Sequence, residues 1–394
     1  MKSISKVIII CCLTLQAAGA QDFGDFPKIE KEKQLGDLEI LYQGLDKFHS
    51  GMYWYTPKDS VDRAFADVRR KITKDLNVLE FHKLIAPLVA LSREDHTDIF
   101  RPAIVKEKVN SEVRLLPLSV VFLGKQLYCV KNGSDFKAFA LEGQPIESIN
   151  GETPEHIVGN IGNLFASDGF IKAVKYSDLE GLSFSVYHYY YYYGQVDQFE
   201  IKFKGISEPV ILQPLTIKAI TRHLNDRYGK PKNTEEEVLE YKILNDSVAY
   251  LGIHTFGNGE IRAHSKEKKL SVFLRNSFKS IRENDIQTLI VDVSQNTGGS
   301  EGNEGLLYSY FGDNYQKYKK VRVKAQKAVL DNGTDKPITL KAFGFFERLL
   351  TNRKMEDGSL ERRAAPGKGL MAYKKEPDYK FRGKTYVLIS PVTY

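Results

Sequence analysis

Apolar residues recur at helical spacing in three successive stretches near the start of the chain. An interval of three or four residues places such positions on one face of a helix. The three apolar stripes are Leu38, Leu41, Tyr42, Leu45 and Phe48; then Val61, Phe65, Val68 and Ile72; then Leu79, Leu84, Leu88 and Leu91. This pattern predicts a small helical region over residues 35–98.

The pattern changes after this region, where short runs rich in Val, Leu and Tyr are broken by Gly and Pro. Such runs indicate β-strands, and they continue to about residue 213. One strand ends at the Asn150-Gly151 turn, and a helix follows with Thr153 as its cap and Pro154 as its first residue. We therefore predict a mostly-β region over residues 99–225.

Five consecutive tyrosines, at positions 189–193, lie in this mostly-β region. On a strand, alternate side chains point to opposite faces. One hypothesis is an aromatic surface that holds a ligand or a peptide. The interpretation that we favour is a broad hairpin with one buried face and one partly wet face, which suits the polar tip of tyrosine.

The charged segment at 226–240, which contains Gly and Pro, marks the predicted boundary before the last region, residues 241–394. A strand at 247–256 is followed by a helical stripe of Leu270, Phe273, Leu274, Phe278 and Ile281. The apolar run Thr288–Val293 is typical of a strand that helices cover on both faces. These two strands, the helix between them and the glycine-rich turn that follows make a βαβ unit. A short helix comes next, and after a polar stretch "GKTYVLIS" is predicted to be another buried strand.

Residues 1–20 have the three-part pattern of a secretory signal peptide. Lys2 and Lys6 precede the apolar run Val7–Leu15, and Ala18 and Ala20 occupy the small-residue positions of a cleavage site. A membrane anchor is the alternative, but the run is shorter than the ~20 apolar residues that a spanning helix needs. We expect cleavage near Ala20, export to the periplasm, cell envelope or medium, and no stable membrane anchor afterwards.

Composition adds mainly exclusions. The formal net charge of +7 is spread along the chain rather than clustered, which argues against a nucleic-acid partner. Outside the signal peptide the chain keeps one cysteine, Cys129, which we interpret as a buried apolar residue rather than a nucleophile. The histidines lack metal-ligand spacing, so we expect no metal and no cofactor.

The stretch "DVSQNTGG" joins a buried strand to Asn296, Thr297 and the pair Gly298-Gly299. Glycines at this position can expose backbone N–H groups that bind an anion or an oxyanion. A plain loop that needs glycine for turning is the other interpretation, and spacing alone does not choose between them. No nucleotide-binding glycine motif is present.

Three stretches, "VAYLGIHTF", "IQTLIVDVSQNTGG" and "FRGKTYVLISPVTY", occur in this order and resemble the tail-specific, or carboxy-terminal-processing, serine peptidases. "LVALSREDHTDI" resembles the helical N-terminal region of that family, and "GQPIESINGETPEHI" a PDZ-like segment. The resemblance covers nearly the whole chain. It implies an α/β (multidomain α+β) protein with a helical N-terminal region, a PDZ-like middle and a ClpP/crotonase-like C-terminal domain.

The resemblance also implies roles for individual residues. Gly298 or Gly299 would supply a backbone N–H to the oxyanion hole, and Asn296, Thr393 and Tyr394 would form the supporting loops. Ser294 and Thr297 depart mildly from the family pattern. The substrate would be a polypeptide, cleaved toward its C-terminal end.

The family's nucleophile would be a serine directly after Tyr394, and its lysine base would lie further along, so both fall outside the 394 residues. We expect the C-terminal domain to be incomplete and this chain to be inactive. The alternatives are a non-catalytic peptide-binding protein on the same scaffold and, less favoured, a ligand carrier. Ser390 does not match the nucleophile position, and we predict structural roles for His96 and His254.

Overall fold

The computed structural model describes residues 26–230, 237–312, 322–324, 352–362 and 377–393. The predicted signal peptide and Tyr394 lie outside the described residues. Helices and several separate sheets alternate along the chain, so the predicted mixture of α and β structure is confirmed. The domain boundaries predicted from the sequence stay predictions.

The three apolar stripes near the start of the chain form helices, as predicted. Helix α2 buries Val61, Phe65 and Val68 on one face, and α3 begins with a capping box in which Asn77 and Glu80 satisfy each other's backbone N–H groups. The helices pack into one apolar cluster with Leu38 and Met52 at its centre. The elements are β1 Lys28–Ile29, α1 Lys31–Phe48, α2 Lys58–Lys71, β2 Leu76–Asn77 and α3 Val78–Ala90.

A five-stranded antiparallel sheet in the order β4-β5-β6-β7-β8 forms the middle of the chain. The Asn150-Gly151 turn has positive φ angles of 50° and 81°, and Thr153 caps α5, so the predicted strand, turn and helix are confirmed. The elements are α4 Ala103–Ser111, β3 Arg114–Leu115, β4 Leu118–Leu123, β5 Gln126–Asn132, β6 Pro145–Ile149, α5 Pro154–Ile161, α6 Ala173–Asp178, α7 Tyr190–Tyr193, β7 Phe199–Phe203, β8 Val210–Leu212, β9 Leu215–Thr216 and α8 Ile217–Tyr228.

The tyrosine run is helical, so the predicted hairpin is wrong. A π-helix over Phe184–Tyr189 continues into α7. Tyr189 stacks on Tyr193, one turn later, with ring centroids 4.4 Å apart, while Tyr190 and Tyr191 are buried in a second apolar cluster. Burial on two sides of a helix thus outweighs the β-propensity of aromatic residues. Helix α8 is not among the predicted elements, although Ile217, Ile220 and Leu224 recur at helical spacing and pack in that same cluster.

A four-stranded sheet in the order β10-β11-β12-β16 forms the last part of the chain. Strands β11, β12 and β16 are parallel, with Leu251, Val291 and Val387 in register, and β10 is antiparallel to β11. The elements are β10 Leu239–Asn245, β11 Val248–Ile253, α9 Asn258–His264, α10 Leu270–Glu283, β12 Thr288–Asp292, α11 Asn303–Tyr308, β13 Arg322–Val323, β14 Asn352–Lys354, β15 Leu360–Arg362 and β16 Lys384–Leu388. The predicted βαβ unit is confirmed.

For the described residues, two predictions are wrong: that helices cover both faces of β12, and that β16 is a buried strand. Burial alternates along β12: Leu289 and Val291 are buried, and Thr288, Ile290 and Asp292 are half-buried. In β16, Val387 is 51% exposed and Leu388 46% exposed. Strand β16 pairs only with β12 among the described strands, and the helices that pack on the sheet cover one of its faces.

Phe278 provides a test of this packing. It is fully buried in α10 and stacks on Tyr310, with ring centroids 4.5 Å apart. We expect Phe278→Ala to lower the free energy of unfolding by about 3–5 kcal/mol, because it removes buried area and leaves a cavity. Val272→Ala, on the exposed face of the same helix, should cost less than about 1 kcal/mol. Urea denaturation followed by circular dichroism compares them, and equal losses would contradict this packing.

Candidate functional site

Three loops meet at one edge of the C-terminal sheet. Strands β11, β12 and β16 run parallel, so the loops 254–257, 293–300 and 389–393 all leave from their carboxyl ends. In open α/β sheets, ligands bind at this edge. The last residues of the three sequence stretches that carry the family resemblance therefore lie together at this edge of the sheet.

Asn296 ties two of these loops together. Its side chain is fully buried, its Nδ2 donates to the Ile253 carbonyl at 3.0 Å, and its Oδ1 accepts from the Gly298 N–H at 2.8 Å. A buried amide with both its donor and its acceptor satisfied fixes the local geometry. The predicted support from Asn296 is thus a direct bond between the end of β11 and the glycine pair.

The glycine pair allows a close approach of backbones. Gly298 and Gly299 have φ angles of 97° and 145°. Phe256 N donates to Gly298 O at 2.9 Å, and Ser300 N donates to Phe256 O at 3.0 Å. A Cβ on Gly299 would lie 2.2 Å from the Gly257 nitrogen. Glycine is therefore required at position 299 both for its φ angle and for space.

The two glycine N–H groups differ in their availability. The Gly298 N–H is bonded to the Asn296 side chain. The Gly299 N–H has no hydrogen-bond acceptor among the described residues, and in the parallel bridge with Phe256 it points away from that residue. The geometry therefore leaves Gly299, rather than Gly298, with a donor that can bind an external oxygen.

The loop after β16 is held by its hydroxyl groups. Ser390 Oγ donates to the Ser294 carbonyl, and Thr393 Oγ1 donates to the Val293 carbonyl at 2.9 Å. Thr393 Oγ1 also accepts from the Ser390 N–H at 2.9 Å. Both hydroxyls are thus engaged in fixing the 389–393 loop against the loop after β12. Tyr394, the remaining predicted site residue, lies outside the described residues.

A second polar group lies at the ends of β11 and β12. The Asp292 carboxylate accepts from Tyr250 Oη at 2.8 Å and from the Ser294 N–H at 2.9 Å. Burial acts to raise the pKa of Asp292, but the hydrogen bonds from Ser294 and Tyr250 outweigh it and hold that pKa below its ordinary value. Burial, with the bond to Asp292, raises the pKa of Tyr250 to about 12. Asp292 therefore stays ionised and orders the start of the loop.

The predicted structural histidines have different surroundings. The side chains of His254 and Tyr250 both lie against Gly252, where an added Cβ would be 3.1 Å from His254 Nε2. The backbone N–H of His254 donates to the Val238 carbonyl at 2.9 Å. The side chain of His96 is 77% exposed, with its Nδ1 3.6 Å from a Glu94 oxygen. The first position fits a structural role, whereas the exposed imidazole of His96 supports no core.

His49, which the sequence analysis did not single out, lies in the same group as Glu94. Its Nδ1 accepts from the Gly51 N–H at 3.2 Å and its Nε2 donates to Thr97 Oγ1 at 2.8 Å, while Thr97 Oγ1 donates to Glu94. Burial lowers the pKa of His49. The residues line a cleft of about 630 Å³. No spacing in the sequence brings His49 and Glu94 together, because α2 and α3 separate them.

Two further expectations concern single residues and membranes. Cys129 is buried, and burial raises the pKa of its thiol to about 12, so the predicted apolar role is confirmed.

In the described parts of the chain, no helix combines the length and the apolar character that crossing a bilayer requires.

No protein-family profile and no curated protein sequence matches the chain. Among solved structures, a serine-to-alanine variant of CPAF has a TM-score of 0.50 at 14% identity, over 84% of this chain and 69% of that one. Mature CPAF bound to lactacystin has a TM-score of 0.49 at 12% identity, over 74% and 61%. The photosystem II D1 C-terminal processing protease has a TM-score of 0.28 at 12% identity, over 88% and 89%.

Of these three likenesses, the one with the CPAF variant supports a shared fold, and at such identity it shows the fold alone. The chain spans about two thirds of the length of the CPAF structures. The class defined by fold and site is therefore an α/β protein with the fold of CPAF and a glycine-lined loop cluster at the edge of its C-terminal sheet.

Gly299 provides the test of this loop cluster. We expect Gly299→Ala to lower the free energy of unfolding by about 2–4 kcal/mol, from the strained φ angle together with the clash against Gly257. Gly259→Ala is the matched control, because a Cβ there meets no atom within 4 Å and the position is helical. Thermal unfolding should show a large fall in Tm for Gly299→Ala and no change in Tm for Gly259→Ala. A neutral Gly299→Ala would refute the close approach.

Proposed function

We propose that this chain is the larger part of an exported serine-type peptidase that hydrolyses peptide bonds toward the C-terminal ends of polypeptides. A serine encoded directly after Tyr394 would attack the scissile carbonyl, and a lysine further along would accept its proton. The N–H of Gly299 would hold the negative charge that develops on the carbonyl oxygen.

The N–H of Gly299, which has no acceptor among the described residues, carries this proposal. An oxyanion donor must be fixed before the reaction, since its value lies in needing no reorganisation as charge develops. Asn296 occupies the Gly298 N–H and holds the turn, and the contact with Phe256 fixes the direction of Gly299. The 389–393 loop, which leads to the proposed nucleophile, is bonded to the same β12 loop through Ser390 and Thr393.

The sequence resemblance and the fold support the same assignment from separate directions. The motif stretches lie at the carboxyl ends of adjacent parallel strands, as catalytic loops do in α/β folds. The two bonds of Asn296 and the direction of the Gly299 N–H support the proposed roles of these residues. The proposal of export rests on the signal-like residues 1–20. N-terminal sequencing of the secreted protein tests it, and we expect the mature chain to begin at Gln21.

A non-catalytic, peptide-binding role for residues 1–394 is the second candidate. One observation favours it: the hydroxyls of Ser390 and Thr393 both donate to backbone carbonyls, so neither is paired with a base. In both proposals the loop cluster binds a polypeptide. They differ in whether the polypeptide is cleaved once the residues encoded after Tyr394 are present.

Peptidase activity separates these two proposals. We expect the purified 394-residue chain to leave an unstructured peptide intact, and the product of the gene read past codon 394 to cleave it. Replacing the serine that follows Tyr394 by alanine in the longer product should abolish cleavage, since the nucleophile is lost. Turnover by the 394-residue chain that a serine-reactive inhibitor blocks would refute the proposed nucleophile.

The base can be tested in the same longer product. The first candidate for the base is the lysine of the proposed mechanism. The second is His96, whose exposed imidazole lies beside the Glu94 carboxylate. With a lysine base, His96→Gln should leave kcat/KM within about threefold. A loss of about 100-fold or more, the size typical of general-base removal, would assign the role to His96 instead. His223→Gln, far along the chain in α8, is the control.

A further inference from the structure

A cavity separate from the three-loop cluster lies between α3, α5 and the segment that follows α5. Its volume is about 830 Å³, within the range of ~300–1,000 Å³ that is typical of sites for small organic molecules. It is lined on one side by Lys83 and Pro87 of α3 and on the other by Val158 of α5 and Lys175 of α6. We call it the basic cavity.

The charges that line the basic cavity are mainly positive. Four cations line it, namely Lys83, Arg93, Lys172 and Lys175, against the single carboxylate of Glu155. That carboxylate is bonded to Lys125 at 2.8 Å. Cations gathered at one cavity repel one another, and a bound anion relieves that repulsion.

Two of the lysines are held by backbone oxygens. Lys83 Nζ donates to Tyr192 O at 2.7 Å, and Lys175 Nζ donates to Gly162 O at 2.5 Å. An ammonium group has three donors, so the bond to Gly162 leaves Lys175 able to donate to a ligand. Burial lowers the pKa of Lys83 to about 8 and lowers that of Lys175, to which the nearby charge of Arg93 contributes. Both are thus partly desolvated cations, and Lys175 lies near the charge of Arg93.

Arg93, which also lines the cavity, has an unusual backbone conformation and a partly satisfied side chain. Its backbone has a φ angle of 50°, which is uncommon for a residue with a side chain. Its guanidinium lies 4.4 Å from the centroid of the Phe170 ring and donates to Gly169 O at 3.4 Å. Its Nε is buried and has no hydrogen-bond partner among the described residues. The charge of a guanidinium that lines the cavity suits a carboxylate oxygen.

The rest of the lining is apolar. Pro87, Leu91 and Val158 contribute hydrocarbon surface, and Phe170 and Ile171 lie at the cavity with exposures of 69% and 54%. Water covers such side chains at a cost, which a bound apolar group removes. Small inorganic anions would leave this surface wet, so the complementary ligand carries an apolar body as well as a negative charge.

We propose that the basic cavity binds a small amphiphilic monocarboxylate, with its carboxylate between Arg93 and Lys175 and its apolar body against Pro87, Leu91 and Phe170. The proposal is independent of the peptidase assignment, because none of these residues belongs to the three-loop cluster. The carboxylate can come from a medium-chain fatty acid or from a short apolar peptide with a free C-terminus.

Calorimetric titration of the full chain with two probes tests the proposal. The first is decanoate below its micellar concentration, with the uncharged decanamide as its control. The second is N-acetyl-Leu-Phe with a free carboxyl group, compared with its C-terminal amide. We expect at least one acid to bind at least about tenfold more tightly than its amide, and the acid that does so identifies the source. If neither acid binds, or if acid and amide bind equally, the proposal is wrong.

Two variants tie binding to the cavity. Lys175→Met removes the charge and keeps the apolar stem, and it should weaken binding of the acid by about tenfold or more. Ile171→Glu places a negative charge at an exposed wall position and should weaken it as well, without altering a buried contact. Lys218→Met, at an exposed position of α8, is the control and should bind normally. Unchanged binding in both cavity variants with native circular dichroism would overturn the site.

Discussion

The amide of Asn296 is the interaction on which the candidate site depends. It holds the end of β11 with its donor and the glycine pair with its acceptor, and it is fully buried while it does so. Without it, two loops that share no covalent connection nearby would lose their common anchor. The contact between Gly299 and Phe256 completes that anchor, because it brings the two backbones within hydrogen-bonding distance. The Gly299 N–H is held in one direction as a consequence and has no acceptor among the described residues, as the proposed oxyanion role requires.

The sheet beneath these loops gives them their positions. Helix α10 covers one face through Phe273, Leu274 and Phe278, and this burial is the main source of stability for β11 and β12. Strand β16 is less protected, yet its loop is pinned by the Ser390 and Thr393 hydroxyls. The rigid part of the site thus lies on β11 and β12, and the β16 loop is attached to it by side-chain bonds.

The basic cavity and the three-loop cluster follow different physical rules. In the cluster, the side chains of Asn296, Ser390 and Thr393 are paired with backbone groups, and the Gly299 N–H has no acceptor among the described residues. In the cavity, four cations line an apolar surface, and the Nε of Arg93 has no hydrogen-bond partner among the described residues. The first arrangement stabilises a charge that develops during a reaction, whereas the second binds a charge that is already present.

The sequence by itself determined the elements with strong periodicity: the N-terminal helices, α10, and the parallel strands with the glycine turn after β12. Local spacing encodes these, since each buries one apolar face. It did not determine the fate of the tyrosine run, because residues 189–193 are helical only where two clusters bury them together. Nor could it show that Asn296 occupies the Gly298 N–H, that His49 and Glu94 meet through Thr97, or that four cations line one cavity. These depend on contacts between residues far apart in the chain, which only the tertiary structure brings together.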